Sequence, residues 1–156
     1  MLNQQGKPKR ILVVDDEPTL VFFLKQGLQE SQFPCNVDVA ASGEEALTKL
    51  TYNRYDLLIT DLKMPGISGF TLIEVARSLY QDIRVILMTA FGSREVQDEA
   101  KQLEVEGYLT KPFPTAQLRD LVNNILAVKD KNSQTLVAEQ ELLLFPGEQR
   151  SQEGQS

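Results

Sequence analysis

The chain has 156 residues, enough for one ordinary domain with a hydrophobic core and little more. Hydrophobic residues make up 42% and charged residues 24%, which is the balance of a soluble globular protein. The net charge of −6 argues against direct nucleic-acid binding by this chain, because a phosphate backbone attracts a basic surface. No apolar run reaches the roughly 18 residues that span a bilayer, and the polar start lacks a signal-peptide segment. We therefore expect a cytoplasmic protein without membrane contact.

Histidine is absent from the sequence. This absence excludes Ser-His-Asp and Cys-His nucleophilic sites, HExxH zinc helices and a phosphohistidine carried by this chain. The one cysteine, Cys35, has no partner for an internal disulfide, so we expect a reduced thiol in the core or in an edge strand. Any chemistry must therefore use carboxylates, a lysine, hydroxyls or a bound cation.

Short segments of strand length alternate with helical patterns along the chain. The predicted strands are residues 11–14, 37–40, 57–59, 85–88 and 107–109. The second alternates as an edge strand does, whereas the others are continuous apolar runs, typical of strands buried on both faces. Helical spacing follows each strand, at residues 21, 24 and 28, in a capped segment at 44–50, at 72, 75, 76 and 79, at 96, 100 and 103, and at 118, 121, 122 and 125. Five βα units predict a doubly wound α/β fold with a parallel sheet.

The composition of the chain changes after about residue 130. We predict a polar N-terminal tail at residues 1–8, one domain at residues 9–129 and a polar tail or linker at residues 130–156. The last segment is rich in Gln, Glu, Ser and Lys, so we expect it to be mobile and to contain no effector domain. The alternative is a short helix at residues 135–144 that docks on a partner or begins a linker.

Polar side chains follow the predicted strands at the edge where an open parallel sheet carries its function. The first strand runs into Asp15 and Asp16, the third into Asp61, the fourth into Thr89 and the fifth into Lys111. Closely packed carboxylates need a cation or a proton to coexist, and oxygen ligands without His or Cys suit Mg²⁺. Lys111 would add a second positive charge, and Thr89 would donate to a phosphoryl oxygen. Asp61 is the predicted nucleophile, and the product would be an aspartyl phosphate.

Four segments together resemble the receiver domain of bacterial two-component response regulators. They are ILVVDDE from residue 11, LITDLKMPG from residue 58, MTA from residue 88 and YLTKPF from residue 108. The resemblance covers residues 9–128, with the four segments in the expected order. Any one segment alone would be weak evidence for the family. It implies a flavodoxin-like fold with strand order 2-1-3-4-5. It also implies a phosphorelay in which a sensor histidine kinase, or a histidine phosphotransfer protein, phosphorylates Asp61, without turnover of an external substrate.

The same resemblance implies a ligand set around Asp61. The carboxylates of Asp16 and Asp61 would bind Mg²⁺ directly, and Asp15 would bind it partly through water. The main-chain carbonyl of Lys63 would be a further ligand. Lys111 would pair with the phosphoryl oxygens. Its peptide bond to Pro112 would be cis, as is usual in the family.

Thr89 and Tyr108 occupy the switch positions that the resemblance implies. Thr89 would move toward the phosphoryl group, and the ring of Tyr108 would rotate into the vacated space. The surface of the fourth helix, fifth strand and fifth helix would then change for an output partner, and receivers often form homodimers through it. Lys63 and Phe91, two residues past Asp61 and Thr89, lie where receivers tune the attacking water. A long cation and a bulky ring there predict slow self-dephosphorylation.

Other functions stay open on the residues alone. A Mg²⁺-dependent phosphatase with an aspartate nucleophile usually has a second acid two residues further on, where this chain has Lys63. A flavodoxin-like small-ligand binder would need a phosphate loop after the first strand, where Asp15 and Asp16 would repel phosphate. A receiver-like scaffold would bind proteins without being phosphorylated, although every acceptor residue is present. Taken alone, the acids before Pro18 could also simply cap a helix.

Overall fold

A computed structural model describes residues 7–90 and 92–127. In this part of the chain strands and helices alternate strictly. The strands are β1 (Lys9–Val14), β2 (Cys35–Ala40), β3 (Leu57–Asp61), β4 (Arg84–Thr89) and β5 (Gly107–Thr110). The helices are α1 (Pro18–Leu28), α2 (Gly43–Tyr52), α3 (Gly69–Leu79), α4 (Arg94–Gln102) and α5 (Thr115–Ala127). Phe91, the tail at 130–156 and its alternative helix at 135–144 lie outside the described residues, so the predicted domain boundaries stay predictions.

The five strands of the described chain form one parallel sheet in the order β2-β1-β3-β4-β5. This order confirms the predicted flavodoxin-like fold. The side chains of β3 are buried throughout, as its apolar run indicated. The alternating strand β2 lies at one edge of the sheet and begins with the partly buried thiol of Cys35, as predicted.

Two apolar clusters fill the two faces of the sheet. Successive residues of a strand point to opposite faces, so Leu58 belongs to the cluster beneath α2, α3 and α4, and Ile59 to the cluster beneath α1 and α5. Tyr108 of β5 lies in the first cluster. Each fully buried Leu or Ile side chain contributes about 1.5–3 kcal/mol to stability. The two clusters therefore stabilise the sheet whose strands carry the polar residues at their carboxyl ends.

The helical spacing predicts the buried faces of α1 and α5 correctly. For α3 the prediction is partly wrong, because Leu79 is 46% exposed and Ile73 is buried in its place. The next residue, Tyr80, turns inward instead, and its hydroxyl donates to the carbonyl of Leu50 at 2.8 Å. The buried stripe of α3 therefore continues into Tyr80 rather than Leu79.

Serine side chains cap the starts of α2, α3 and α4. Ser42, Ser68 and Ser93 each accept a hydrogen bond from the main-chain N–H three residues later. Such a cap stabilises a helix by about 1 kcal/mol. The cap at Ser42 confirms the capping pattern of the sequence. Because these helices follow the carboxyl ends of the strands, the caps also fix the loops around that edge.

Candidate functional site

The carboxyl ends of β1, β3, β4 and β5 bring the predicted site residues to one edge of the sheet. Asp61 ends β3 and is in register with Met88, the residue before Thr89. The N–H of Lys111 donates to the carbonyl of Thr89 at 2.8 Å. Asp15, directly after β1, donates its N–H to the β2 carbonyl of Ala40 at 3.1 Å. Main-chain hydrogen bonds therefore hold the loops that carry these side chains.

Three acidic side chains meet at this edge. One carboxylate oxygen from each of Asp15, Asp16 and Asp61 lies within 4.8 Å of the other two. Asp15 and Asp61 are buried, and Asp16 is exposed. The ammonium of Lys111 lies 2.6 Å from Asp15 Oδ2 and 3.3 Å from Asp61 Oδ2. Because one ammonium faces three carboxylates, the group keeps an excess of negative charge.

The protonation of Asp61 and Lys111 reflects this excess. Burial raises the pKa of Asp61 above its usual value, and repulsion by Asp15 adds to the rise, although Lys111 and the N–H of Leu62 act in the opposite direction. For Lys111, burial disfavours the charged form, but contacts with Asp15 and Asp61 outweigh burial and raise its pKa. The ammonium is thus stabilised, while the Asp61 carboxylate remains incompletely compensated.

Neighbouring groups that the sequence pattern did not reveal hold Asp61 in position. The N–H of Leu62 donates to Asp61 Oδ1 at 2.8 Å, and the hydroxyl of Thr60 donates to the Asp61 carbonyl at 2.9 Å. Gly69, the first residue of α3, packs so closely on that carbonyl that a Cβ there would collide with it. One carboxylate oxygen is therefore fixed by the backbone, and the other faces Lys111.

Thr89 and Tyr108 lie on the neighbouring strands β4 and β5. Thr89 is buried, and Tyr108, in register with Leu87, is 7% exposed. Burial also raises the pKa of the Tyr108 phenol. The two predicted switch residues therefore lie on adjacent strands, and their movement stays a prediction.

An open groove of about 610 Å³ begins next to the acceptor, along the connection from β3 to α3. Its lining is mostly apolar and consists of Leu62, Lys63, Met64, Pro65, Ser68 and Phe70. The exposed side chain of Lys63 thus lies near Asp61, whereas Phe91, the other predicted tuning residue, is outside the described residues. The peptide bond between Lys111 and Pro112 is cis, as the resemblance implied. The ligand role of the Lys63 carbonyl stays a prediction.

A family model described as the response regulator receiver domain matches residues 11–123. The chain belongs to the response regulator receiver family. The match spans the predicted acceptor, metal, switch and tuning residues. Membership of this family argues against the phosphatase and the flavodoxin-like ligand binder.

This receiver is similar to proteins of known name. Sporulation initiation phosphotransferase F of Bacillus subtilis is 34% identical over 126 residues, which cover 78% of this chain and 96% of that protein. The transcriptional regulatory protein CusR of Escherichia coli is 32% identical over 117 residues, covering 75% of this chain and 51% of CusR. The chain thus spans about half the length of CusR. Among solved structures, response regulator TrrA from Thermotoga maritima in complex with Mg²⁺-BeF has 38% sequence identity to this chain and a TM-score of 0.65. The matched region covers 75% of this chain and 98% of the TrrA chain.

Receiver domains belong to two-component systems, in which they interact with histidine kinases or phosphotransfer proteins. The family binds Mg²⁺ at an acidic site and generally turns over no external substrate. The group formed by Asp15, Asp16 and Asp61 fits phosphorylation. In the part of the chain that the structure describes, the helices are too short or too polar to cross a membrane.

Proposed function

We propose that this receiver accepts a phosphoryl group on Asp61 from a phosphohistidine of a sensor histidine kinase or a histidine phosphotransfer protein in the cytoplasm. The observation that carries the proposal is the acidic group at the sheet edge, where Lys111 bridges the buried carboxylates of Asp15 and Asp61. A lysine ammonium forms strong, charge-assisted hydrogen bonds to carboxylates and to phosphoryl oxygens alike, so Lys111 could also hold a phosphoryl group on Asp61. The similarity to the phosphotransferase F of Bacillus subtilis supports the same function.

The transfer needs little beyond position and charge. A carboxylate oxygen of Asp61 forms the bond to phosphorus while the P–N bond of the donor phosphohistidine breaks. The imidazole nitrogen keeps the bonding electrons and takes a proton from water. The backbone N–H of Leu62 orients the carboxylate, and Lys111, 3.3 Å from Asp61 Oδ2, is positioned to neutralise a phosphoryl oxygen. The receiver would catalyse its own phosphorylation without acting on another substrate.

The residues at the site fit Mg²⁺. Asp15, Asp16 and Asp61 offer hard oxygen ligands, and their excess negative charge requires a cation. The main-chain carbonyl of Lys63 completes the proposed set. Mg²⁺ bound there would supply charge neutralisation for the phosphoryl oxygens. The solved complex of TrrA with Mg²⁺-BeF supports this assignment.

Thr89 and Tyr108 would carry the change at Asp61 to the face formed by α4, β5 and α5. Thr89 ends the strand next to Asp61, and its carbonyl is bonded to the N–H of Lys111. Tyr108 lies on the following strand beneath α4. A single added anion would thus bias a two-state element that an output partner, or a second copy of the chain, recognises. Lys63 and Phe91 would slow self-dephosphorylation by crowding the attacking water.

Intact-mass measurement after incubation with Mg²⁺ and acetyl phosphate tests the proposal. We expect one phosphoryl adduct on the wild-type chain and none when EDTA replaces Mg²⁺. Asp61→Asn keeps the shape of the side chain but removes the carboxylate, so the adduct should be lost. Asp82→Asn is a matched control, because Asp82 is exposed and lies just before the amino end of β4, at the far ends of the strands from Asp61. This substitution should leave the adduct unchanged. An unphosphorylated wild-type chain, or an adduct that survives in Asp61→Asn, would contradict the proposal and favour a protein-binding scaffold.

A further inference from the structure

Gly92 lies between β4 and α4, directly against the side chain of Tyr108. A Cβ atom on Gly92 would lie 3.0 Å from the Tyr108 hydroxyl oxygen and 3.2 Å from Thr110 Oγ1. Both separations are tighter than ordinary van der Waals contacts of a Cβ atom. A Cβ atom at residue 92 would therefore require the Tyr108 hydroxyl and the Thr110 side chain to move by a few tenths of an ångström.

The backbone does not explain the glycine at this position. Among the described residues, Gly66 has a positive φ of 83°, and Gly92 does not share that conformation. An alanine could thus adopt the φ of Gly92 without the steric penalty of the left-handed region. The steric limit at residue 92 comes instead from the Tyr108 hydroxyl and the Thr110 side chain.

The turn around Gly92 is held from the other side, so it cannot easily retreat from the ring. The carbonyl of Gly92 accepts a hydrogen bond from Gln97 Nε2 at 3.2 Å. The next residue, Ser93, caps α4 by accepting from the N–H of Val96 at 3.2 Å. Two hydrogen bonds therefore tie the turn to the first turns of α4.

The two atoms that a Cβ would meet differ in their freedom to move. Thr110 is exposed, and its hydroxyl can rotate into solvent. The Tyr108 hydroxyl stands at the end of a rigid ring that is 7% exposed and packed in the cluster beneath α4. Relief of the contact must therefore come from movement of the whole Tyr108 ring.

We propose that Gly92 is a positioning residue for Tyr108. Gly92 leaves room for the Tyr108 ring in its buried position, and replacement of Gly92 by a larger residue displaces the ring outward. The side chain at residue 92 thereby sets the relative populations of the buried and outward positions of the Tyr108 ring. A second consequence rests on the proposed function. Because ring burial and phosphoryl binding at Asp61 are linked through Thr89, a substitution that disfavours burial must weaken phosphoryl binding through the same equilibrium.

The position of the ring is tested without any phosphoryl group. Tyrosine rings labelled with ¹³C give one set of signals for each of the four tyrosines, and Tyr108→Phe identifies those of Tyr108. A soluble nitroxide then reports how far each ring is exposed. We expect Gly92→Ala to increase the relaxation of the Tyr108 signals at least about twofold and to leave the other tyrosine rings unchanged. Unchanged Tyr108 signals in a folded Gly92→Ala chain would overturn the proposal.

The coupling to the acceptor is tested by titration with Mg²⁺ and beryllium fluoride, a tetrahedral anion shaped like a phosphoryl group. We expect Gly92→Ala to weaken binding by about three- to tenfold, because the apparent affinity falls with the fraction of the chain whose ring is buried. In the Tyr108→Phe background the contact with the hydroxyl is gone, so adding Gly92→Ala should change the affinity by less than about twofold. In the Thr110→Ala background the full effect of Gly92→Ala should persist, because the Tyr108 contact remains.

The outcomes separate the two levels of the proposal. An equal loss of affinity in the Tyr108→Phe background would overturn the role of Gly92 as a positioning residue. A ring that moves outward without any change in affinity would overturn the coupling but not the steric contact. If beryllium fluoride fails to bind the wild-type chain, the proposed function fails, while the nitroxide measurement still decides where the Tyr108 ring lies.

Discussion

Asp61→Asn should stabilise the folded chain in the absence of Mg²⁺, although it removes the proposed acceptor. The pKa of Asp61 is raised by burial first and by Asp15 second, so the fold disfavours the charged carboxylate. Asparagine keeps the shape and can still accept the hydrogen bond from Leu62, but it has no charge. The contact between Lys111 and Asp15 at 2.6 Å remains in the variant.

The size of the effect follows from the distances at the site. With an effective dielectric constant of about 20, repulsion from Asp15 at 4.8 Å or less costs at least about 3.5 kcal/mol, and attraction to Lys111 at 3.3 Å contributes about 5 kcal/mol. Desolvation of a buried carboxylate costs several kcal/mol more. The net gain in the free energy of unfolding for Asp61→Asn is therefore about 1–3 kcal/mol.

The gain should depend on pH in a defined direction. Because the folded pKa of Asp61 is raised, the native state binds this proton more tightly than the unfolded state does. The destabilisation of the wild-type chain is thus complete above the raised pKa and disappears as the pH falls toward the ordinary carboxyl value of 3.8. Asp61→Asn should accordingly have its full advantage in mildly alkaline buffer and little advantage in acid.

Urea denaturation in EDTA, followed by far-UV circular dichroism because the chain lacks tryptophan, measures this difference. The control Asp82→Asn alters an exposed carboxylate and should change stability by no more than about 0.5 kcal/mol. Mg²⁺ should narrow the gap, because it stabilises the wild-type chain by binding its acids. An Asp61→Asn chain that is no more stable than the wild-type chain in mildly alkaline EDTA buffer would show that the Asp61 charge does not destabilise the fold.

Further predictions concern the end of α4 and the groove beside the acceptor. Arg77 donates to the carbonyls of Leu103 and Glu104 and to the carboxylate of Glu106, each at 3.0 Å, so Arg77→Ala should lower the free energy of unfolding by about 2–4 kcal/mol in urea denaturation. Glu104 has a φ of 57°, and Glu104→Gly should raise that free energy by about 1 kcal/mol in the same assay. Lys63→Ala and Phe91→Ala should each shorten the half-life of the phosphoryl adduct, followed by intact mass; unchanged half-lives would contradict slow self-dephosphorylation.

The features of the fold that follow from periodicity were predictable from the sequence. Continuous apolar runs identified the buried strands, and the alternating run identified β2 as an edge strand, because burial on one or two faces leaves different patterns. The pattern did not reveal that β5, also a continuous run, lies at the other edge of the sheet. The positions of Asp15, Asp61 and Lys111 followed from the rule that parallel strands end at the same edge. The contacts that orient the Asp61 carboxylate, from the N–H of Leu62 and the close packing of Gly69, did not follow from that rule.

The unpredicted features depend on side chains that are distant in the sequence. Arg77 of α3 forms an ion pair with Glu106, the residue before β5, and no local sequence pattern links the two residues. Tyr80 replaces Leu79 in the buried stripe because its hydroxyl finds a carbonyl on α2, which spacing alone cannot reveal. The contact between Gly92 and Tyr108 likewise becomes visible only when the turn and the strand are packed together.

Chemical reduction of the phosphorylated chain identifies the residue that carries the phosphoryl group. Borohydride reduces an aspartyl phosphate to homoserine, so treatment after incubation with Mg²⁺ and acetyl phosphate marks the acceptor permanently. Peptide mass spectrometry should then find homoserine at position 61 and aspartate at positions 15 and 16. Homoserine at another position, or its absence throughout a chain that has gained a phosphoryl group, would contradict the assignment of Asp61 as the acceptor.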